Sequence, residues 1–411
     1  MKKMIVWAIL IALMLISPVA ARFSWKWVNS SNLEFCHPNN VATTSMTFYR
    51  GRLYVGTVND YGTQIWKRTR IYKFGYLYEG WKQVNGPGTN FRCPCNDAST
   101  SMAVYNDRLY VGTLNFEGAE IWRYDGTSWE LSKRFGVQNR EITSMAVYYN
   151  ALYVGTWNDF GAQIWRFDGG SWKQDESIKE QPGFYNNSAI TSMVAVGTYL
   201  FVGTKNLVTG TEIWAHNVDA ASWDQINKDD FDEQYDKITS NPETTFLIEY
   251  NRKLYAISQP PAVSGQNSRS RMWRYTGRTN WELVNNLPNI EITSMTIFDG
   301  KLYVGTRNPF TGAEIWRYDG TSWEPDDDGF IDLSNTQATS MAVYSSWEYN
   351  RFFVGTYNDN GTRIYETKGF EPGPLEINFP ERRGYLMPLP YYRFMRLRNI
   401  IDRVYPWLLY I

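Results

Sequence analysis

Histidine is nearly missing from this chain: only His37 and His216 occur in 411 residues. That argues against a histidine-built zinc or copper centre, because imidazoles supply most ligands of such sites. There are three cysteines, and the net charge is −1, so no whole-chain electrostatic footprint for nucleic acid exists. Neither a nucleophile elbow nor a phosphate-binding glycine loop is present. The one long apolar run, residues 4–16, is shorter than the roughly 20 residues a spanning helix needs.

What the chain has is a repeat rich in aromatics. Residues 141–172 read EITSMAVYYNALYVGTWNDFGAQIWRFDGGSW, and near copies stand at 100–129 and 291–323. Each copy holds four short runs rich in Val, Ile, Tyr, Trp and Thr, separated by Asn, Asp and Gly. The runs are too short for helices, and the separators favour the positive φ of hairpin turns. One copy is therefore a four-stranded antiparallel meander. Such a sheet has two apolar faces and cannot bury both alone. Copies packed face to face around an axis bury them, which predicts an all-β fold, a seven-bladed β-propeller. The blades are expected at 44–84, 100–131, 143–174, 191–226, 244–284, 293–324 and 339–366. The last lacks its fourth strand, and an orphan Ser24-Trp25-Lys26-Trp27-Val28 stands at the start. We expect residues 25–28 to pair with residues 363–366 and close the ring, removing open edges.

Lys2-Lys3, the apolar run and Ser17-Pro18-Val19-Ala20-Ala21 read as an export signal, residues 1–21, cleaved near Ala21. Domain boundaries follow: signal 1–21, propeller 22–369, and a basic, aromatic, non-repeat tail 370–411. The tail suits packing on the propeller or peripheral contact with a membrane surface. In an exported monomer a disulfide from Cys36 to Cys93 or Cys95 is expected, because Cys36 and Cys93 occupy comparable loops entering neighbouring blades.

From its second strand onward the repeat resembles the kelch motif. Leu109-Tyr110-Val111-Gly112-Thr113 stands where kelch repeats have an apolar run ending in glycines. Tyr124 and Trp129 stand where kelch has its third-strand Tyr and fourth-strand Trp. Asp125-Gly126-Thr127-Ser128-Trp129 also looks like the Asp-box of sialidase propellers. Both resemblances imply a propeller and neither implies an activity. A kelch-type copper oxidase would need two histidine ligands, and the two here lie in distant blades.

Candidate binding residues come from one predicted face. Asn59, Asn115, Asn158, Asn206, Asn308 and Asn358 follow the second strands, and the serine ring includes Ser144 and Ser294. These are either scaffold that satisfies turns or a polar ring holding a sugar or anion. Blade five breaks the motif at Tyr255-Ala256-Ile257-Ser258, and the loop that follows carries Arg269, with Arg271 just beyond it. Variable loops on a rigid ring are where binding resides. Two acidic loops, around Asp229-Asp230 and Asp326-Asp327-Asp328 with Asp332, are the places for calcium, though neither has the twelve-residue spacing. No other cofactor or metal is expected. The function expected is non-enzymatic binding of a glycan or protein at the cell surface. The alternatives are a glycan-active hydrolase or lyase using Glu141, Glu291 and Glu249, and a structural envelope protein.

Overall fold

The computed structural model describes residues 25–30, 34–73, 76–86, 91, 93–220, 222–227, 231, 243–259, 270–284, 291–326, 332–346 and 350–368. The expectations for the leader, the tail, Arg269 and the loop at Asp229-Asp230 lie outside them. The described residues belong to the compact unit Met1–Glu371, and Pro372–Ile411 is a second unit.

The fold is all-β, with a single helical turn at Glu176–Lys179 and a 3-10 turn at Phe184–Asn186 among the described residues. The strands fall into antiparallel sets of four. Set one is Ala42–Tyr49, Arg52–Val58, Ile65–Lys73 and Tyr76–Gln83. Set two is Ala98–Tyr105, Arg108–Leu114, Glu120–Tyr124 and Trp129–Arg134. Set three is Glu141–Tyr148, Ala151–Trp157, Ile164–Phe167 and Trp172–Gln174. Set four is Ala189–Val196, Tyr199–Lys205, Ile213–Asn217 and Ser222–Gln225. Set five is Glu243–Tyr250, Lys253–Gln259, Arg271–Gly277 and Asn280–Leu283. Set six is Glu291–Phe298, Lys301–Arg307, Ile315–Tyr318 and Trp323–Pro325. Set seven is Gln337–Ser345, Asn350–Tyr357 and Ile364–Lys368, completed by Lys26–Trp27 from the start of the chain.

That completion is the pairing the sequence calls for: Lys26 faces Glu366 and Trp27 faces Tyr365. Trp25 then does what fourth-strand tryptophans do elsewhere. The Trp129 indole donates to the Val84 carbonyl of the preceding set, and Trp281 donates to Ile226. Trp25 donates to Asp326 of set six at 3.0 Å, and Trp81 of set one donates to Val28.

In five sets the first and second strands are joined by two-residue turns with both φ values positive, as at Asn106-Asp107 and Tyr149-Asn150. This is the turn whose twist matches that of the flanking strands. Each first strand packs against the next, and the seventh against the first. Seven apolar clusters result, one per junction, including set seven with set one (Leu53, Val55, Trp66, Phe353, Ile364). Seven sets in an open row would have six junctions.

The second-strand glycine lets neighbouring sets approach. A Cβ on Gly155 would lie 2.4 Å from the Cβ of Ile190 in the next set. Across the closing junction, a Cβ on Gly355 would meet Thr43. Set five carries Ile257 in the same register, facing Phe246 as Gly155 faces Ser144. Ile257 is buried against Ile292 in the junction with set six.

Candidate functional site

The repeated polar residues are joints between sets. Thr143 and Ser144 both donate hydroxyl hydrogen bonds to the Ile190 carbonyl of the next set, at 2.6 and 2.8 Å. Thr100 and Ser101 do the same to Ile142, and Thr293 and Ser294 to Ala338. A bulge at this point in each first strand turns two consecutive hydroxyls toward one acceptor. Ser144 and Ser294 are thus buried staples, and the hydroxyl ring expected at a channel mouth is spent within the scaffold.

The asparagines are buried in a second repeated joint. Asn158 donates to Asn139, which also accepts from Thr156 and donates to Gln163. Gln163 in turn accepts from the Trp165 indole. Asn59 with Asn40 and Gln64, and Asn115 with Asn96 and Glu120, repeat the arrangement. Asn206 donates to Glu212, and Asn358 to Asn335. The side-chain oxygen of each recurring asparagine accepts from the backbone two residues on, as Asn158 does from Phe160. Of the six, only Asn308 is partly exposed. These amides are committed to loop anchoring, which corrects the expectation that they face a ligand.

Five of the asparagine loops present large apolar side chains beside their polar residues. Tyr61, Phe116, Phe160, Leu207, Val208 and Phe310 sit at their tips, with Phe160 79% and Phe310 81% exposed. Large apolar side chains repeated on one face are unusual for a solvated surface.

Inside this crown lies a collar built from the first residue of each first strand and the last residue of each second strand. Backbone pairing runs Tyr357, Ala42, Val58, Ala98, Leu114, Glu141, Trp157, Ala189, Lys205, Glu243, Gln259, and separately Glu291, Arg307, Gln337, Tyr357. Unlike the joints, the collar does not repeat. Sets one and two contribute Ala, Val and Leu; sets three to seven contribute two aromatics and all its polar side chains.

The polar arc has a defined electrostatic order. Lys205 pairs with Glu243 at 3.3 Å, and Arg307 with Glu291 at 3.2 Å. Asp159 accepts from the Trp157 indole at 2.8 Å and pairs with Arg140 at 3.0 Å, fixing the ring's edge. Glu141 is partly open to solvent yet crowded by protein. Burial, reinforced by the negative charge of Glu243 and only partly offset by Lys205, pushes its carboxyl up to about 7. A carboxyl in that range can hold or release a proton near neutrality.

Other candidates fall elsewhere. Glu249 is exposed near the far end of its strand, next to the Tyr250 turn, and is not brought to the collar with Glu141 and Glu291. Arg271 opens the third strand of set five. The disulfide joins Cys93 to Cys95, correcting the expected bridge from Cys36. Cys36 is free, donates to the Asn29 carbonyl, and burial pushes its thiol up to about 11. Cys93 bonds instead to the thiol two residues further along its own loop. In the second acidic loop, Asp326 faces Arg317 and Asp332 pairs with Arg363. No three His, Cys, Asp or Glu side chains converge for a metal among the described residues. No helix there is long and apolar enough to cross a membrane.

No protein-family model matches the chain, and no curated protein does. Solved structures do. The extracellular domain of a putative hybrid two-component system from B. thetaiotaomicron matches with a TM-score of 0.55 at 17% identity, over 84% of this chain. This chain spans only 39% of that one. A polysaccharide lyase, an ulvan lyase bound to -[GlcA(1-4)Rha3S]-, matches with a TM-score of 0.50 at 12% identity, over 84% of this chain and 94% of that one. At such identities the likeness is one of fold.

Proposed function

We propose that this chain is an exported seven-bladed β-propeller that binds a glycan through the collar and the apolar crown around it. The propeller reading is supported by seven sets, seven junctions and the paired chain ends. Export is supported by the character of residues 1–21. The observation that carries the binding reading is where the repeat breaks. Trp157, Tyr357, Gln259, Gln337 and three glutamates occupy collar positions that are Ala, Val or Leu in the first two sets. Scaffold needs would hold all sets alike, so divergence concentrated at one solvent-reaching ring, beyond the break in set five, points to a ligand. Amphipathic rings beside amide and charged groups suit a sugar, which has apolar faces and a polar rim.

The test is a glycan array followed by calorimetry on the protein from Arg22 onward, with Trp157→Ala and Gln337→Ala. The expected result is a glycan hit weakened at least about tenfold by Trp157→Ala, with an unchanged melting midpoint. Silence across the array together with a protein captured from the cell envelope would replace the glycan by a protein partner.

Glycan cleavage is a second reading, and Glu141 favours it. A carboxyl pushed up to about 7 beside the Glu243 carboxyl has the form of an acid–base pair. Turnover of a uronate-containing polysaccharide that disappears in Glu141→Gln while binding persists would establish it.

A further inference from the structure

The end of the fold opposite the collar carries a small, open cleft at the junction of sets one and seven. Its wall includes Phe48, Phe353 and Tyr344, together with Arg52, Arg68, Arg70, Arg351 and Glu79. Part of this charge is structural. Arg68 pairs with Glu79, and with Glu366 at 2.8 Å; Arg351 pairs with Glu79 at 3.2 Å and with Glu366 at 3.1 Å. Burial alone would raise Glu79, but Arg68 and Arg351 outweigh it and hold the carboxyl below its usual range. Two guanidiniums and two carboxylates thus clasp the closing junction.

The remainder is positive and unspent. Nη1 of Arg68 is buried and has no hydrogen-bond partner, although the side chain is only 11% exposed. Arg52 and Arg70 form no ion pair among the described residues. A buried guanidinium N–H left unsatisfied is costly, and an anion is the partner that removes the cost. Phe48 and Tyr344 stand 4.9 Å apart by ring centroids and give the cleft an apolar wall.

We propose that this cleft is a second binding site, for an oxyanion carried on a small ring: the carboxylate of a sugar acid or the sulfate of a sulfated sugar. Arg68, Arg52 and Arg70 meet the anion, and Phe48 and Tyr344 meet the ring. The site is separate from the collar and does not depend on what the collar binds.

The experiment titrates the protein from Arg22 onward with three short oligosaccharides: uronate-bearing, sulfated and neutral. The titrations are repeated on Arg52→Gln/Arg70→Gln and on Trp157→Ala. The double variant alters side chains outside the clasp, Arg70 exposed and Arg52 half-buried, so its melting midpoint should move little. The expected result is binding of at least one anionic oligosaccharide that falls about tenfold or more in the double variant, weakens with salt and persists in Trp157→Ala. The uronate and sulfate arms tell which anion is taken. Anionic binding untouched by the double variant, or no binding of either anionic probe, overturns the cleft. Loss of a neutral glycan in Trp157→Ala alone would leave the collar reading standing while the cleft fails.

Discussion

Gly155 sets how closely two sheets approach. The Cβ added by Gly155→Ala would fall 2.4 Å from that of Ile190, so strands must separate. Overpacking of this kind costs about 1–3 kcal/mol, and a lowered urea midpoint with unchanged circular dichroism is the expected outcome. Glu141 gives a pH dependence of known sign. Its folded pKa is raised from 4.5 to about 7, so between those values the native state holds a proton that the unfolded chain has released. Stability from this group is full below the lower value and is lost as pH rises through the higher one. Urea midpoints should fall between about pH 5 and about pH 8 in the parent and show less of that fall in Glu141→Gln. Cys36 is shielded, and its thiol is pushed up to about 11. Native protein should react slowly with a thiol reagent near neutral pH, and denatured, unreduced protein should yield one thiol per chain.

At the scale of elements, the two-residue strand Lys26–Trp27 holds the ends of the chain together. Its neighbour Trp25 is 5% exposed, packs edge-on to Phe352 at 5.0 Å and donates to Asp326. Trp25→Ala should cost about 3–5 kcal/mol, the range for deleting a buried aromatic, measured by chemical denaturation. Removing residues 22–28 altogether would uncover Ile364–Lys368 as an open edge, and sedimentation should then detect self-association. The loop elements follow a different logic. Their asparagines are held inward by Asn, Gln and Glu partners, and large apolar tips face water beside acidic neighbours such as Glu117 and Asp159.

In the whole molecule, joints and binding surface are drawn from the same repeat but from different positions in it. Thr, Ser, Gly and Asn recur because most junctions need the same close approach and the same hydroxyl and amide bonds; set five, with Ile257 in the glycine register, is the exception. The collar varies from set to set: its backbone bridges adjoining sets, and among its side chains Lys205 and Glu243 pair across one junction.

The sequence by itself determined the strands, the turns, the number of sets and the closing pair, because these depend on local periodicity and on an orphan Ser-Trp run matching a missing one. It left the first strands two residues short. Ala42, Glu141 and their equivalents extend those strands by bridging to a neighbouring set, a contact no single repeat records. Only the tertiary structure decided which polar residues are spent and which remain. Ser144 and Asn158 have the chemistry of ligand contacts, but burial against adjoining sets commits them to the scaffold. Glu141 carries no mark in the sequence that sets it apart from Glu249; its raised pKa comes from being crowded by protein and facing Glu243, one hundred and two residues away along the chain.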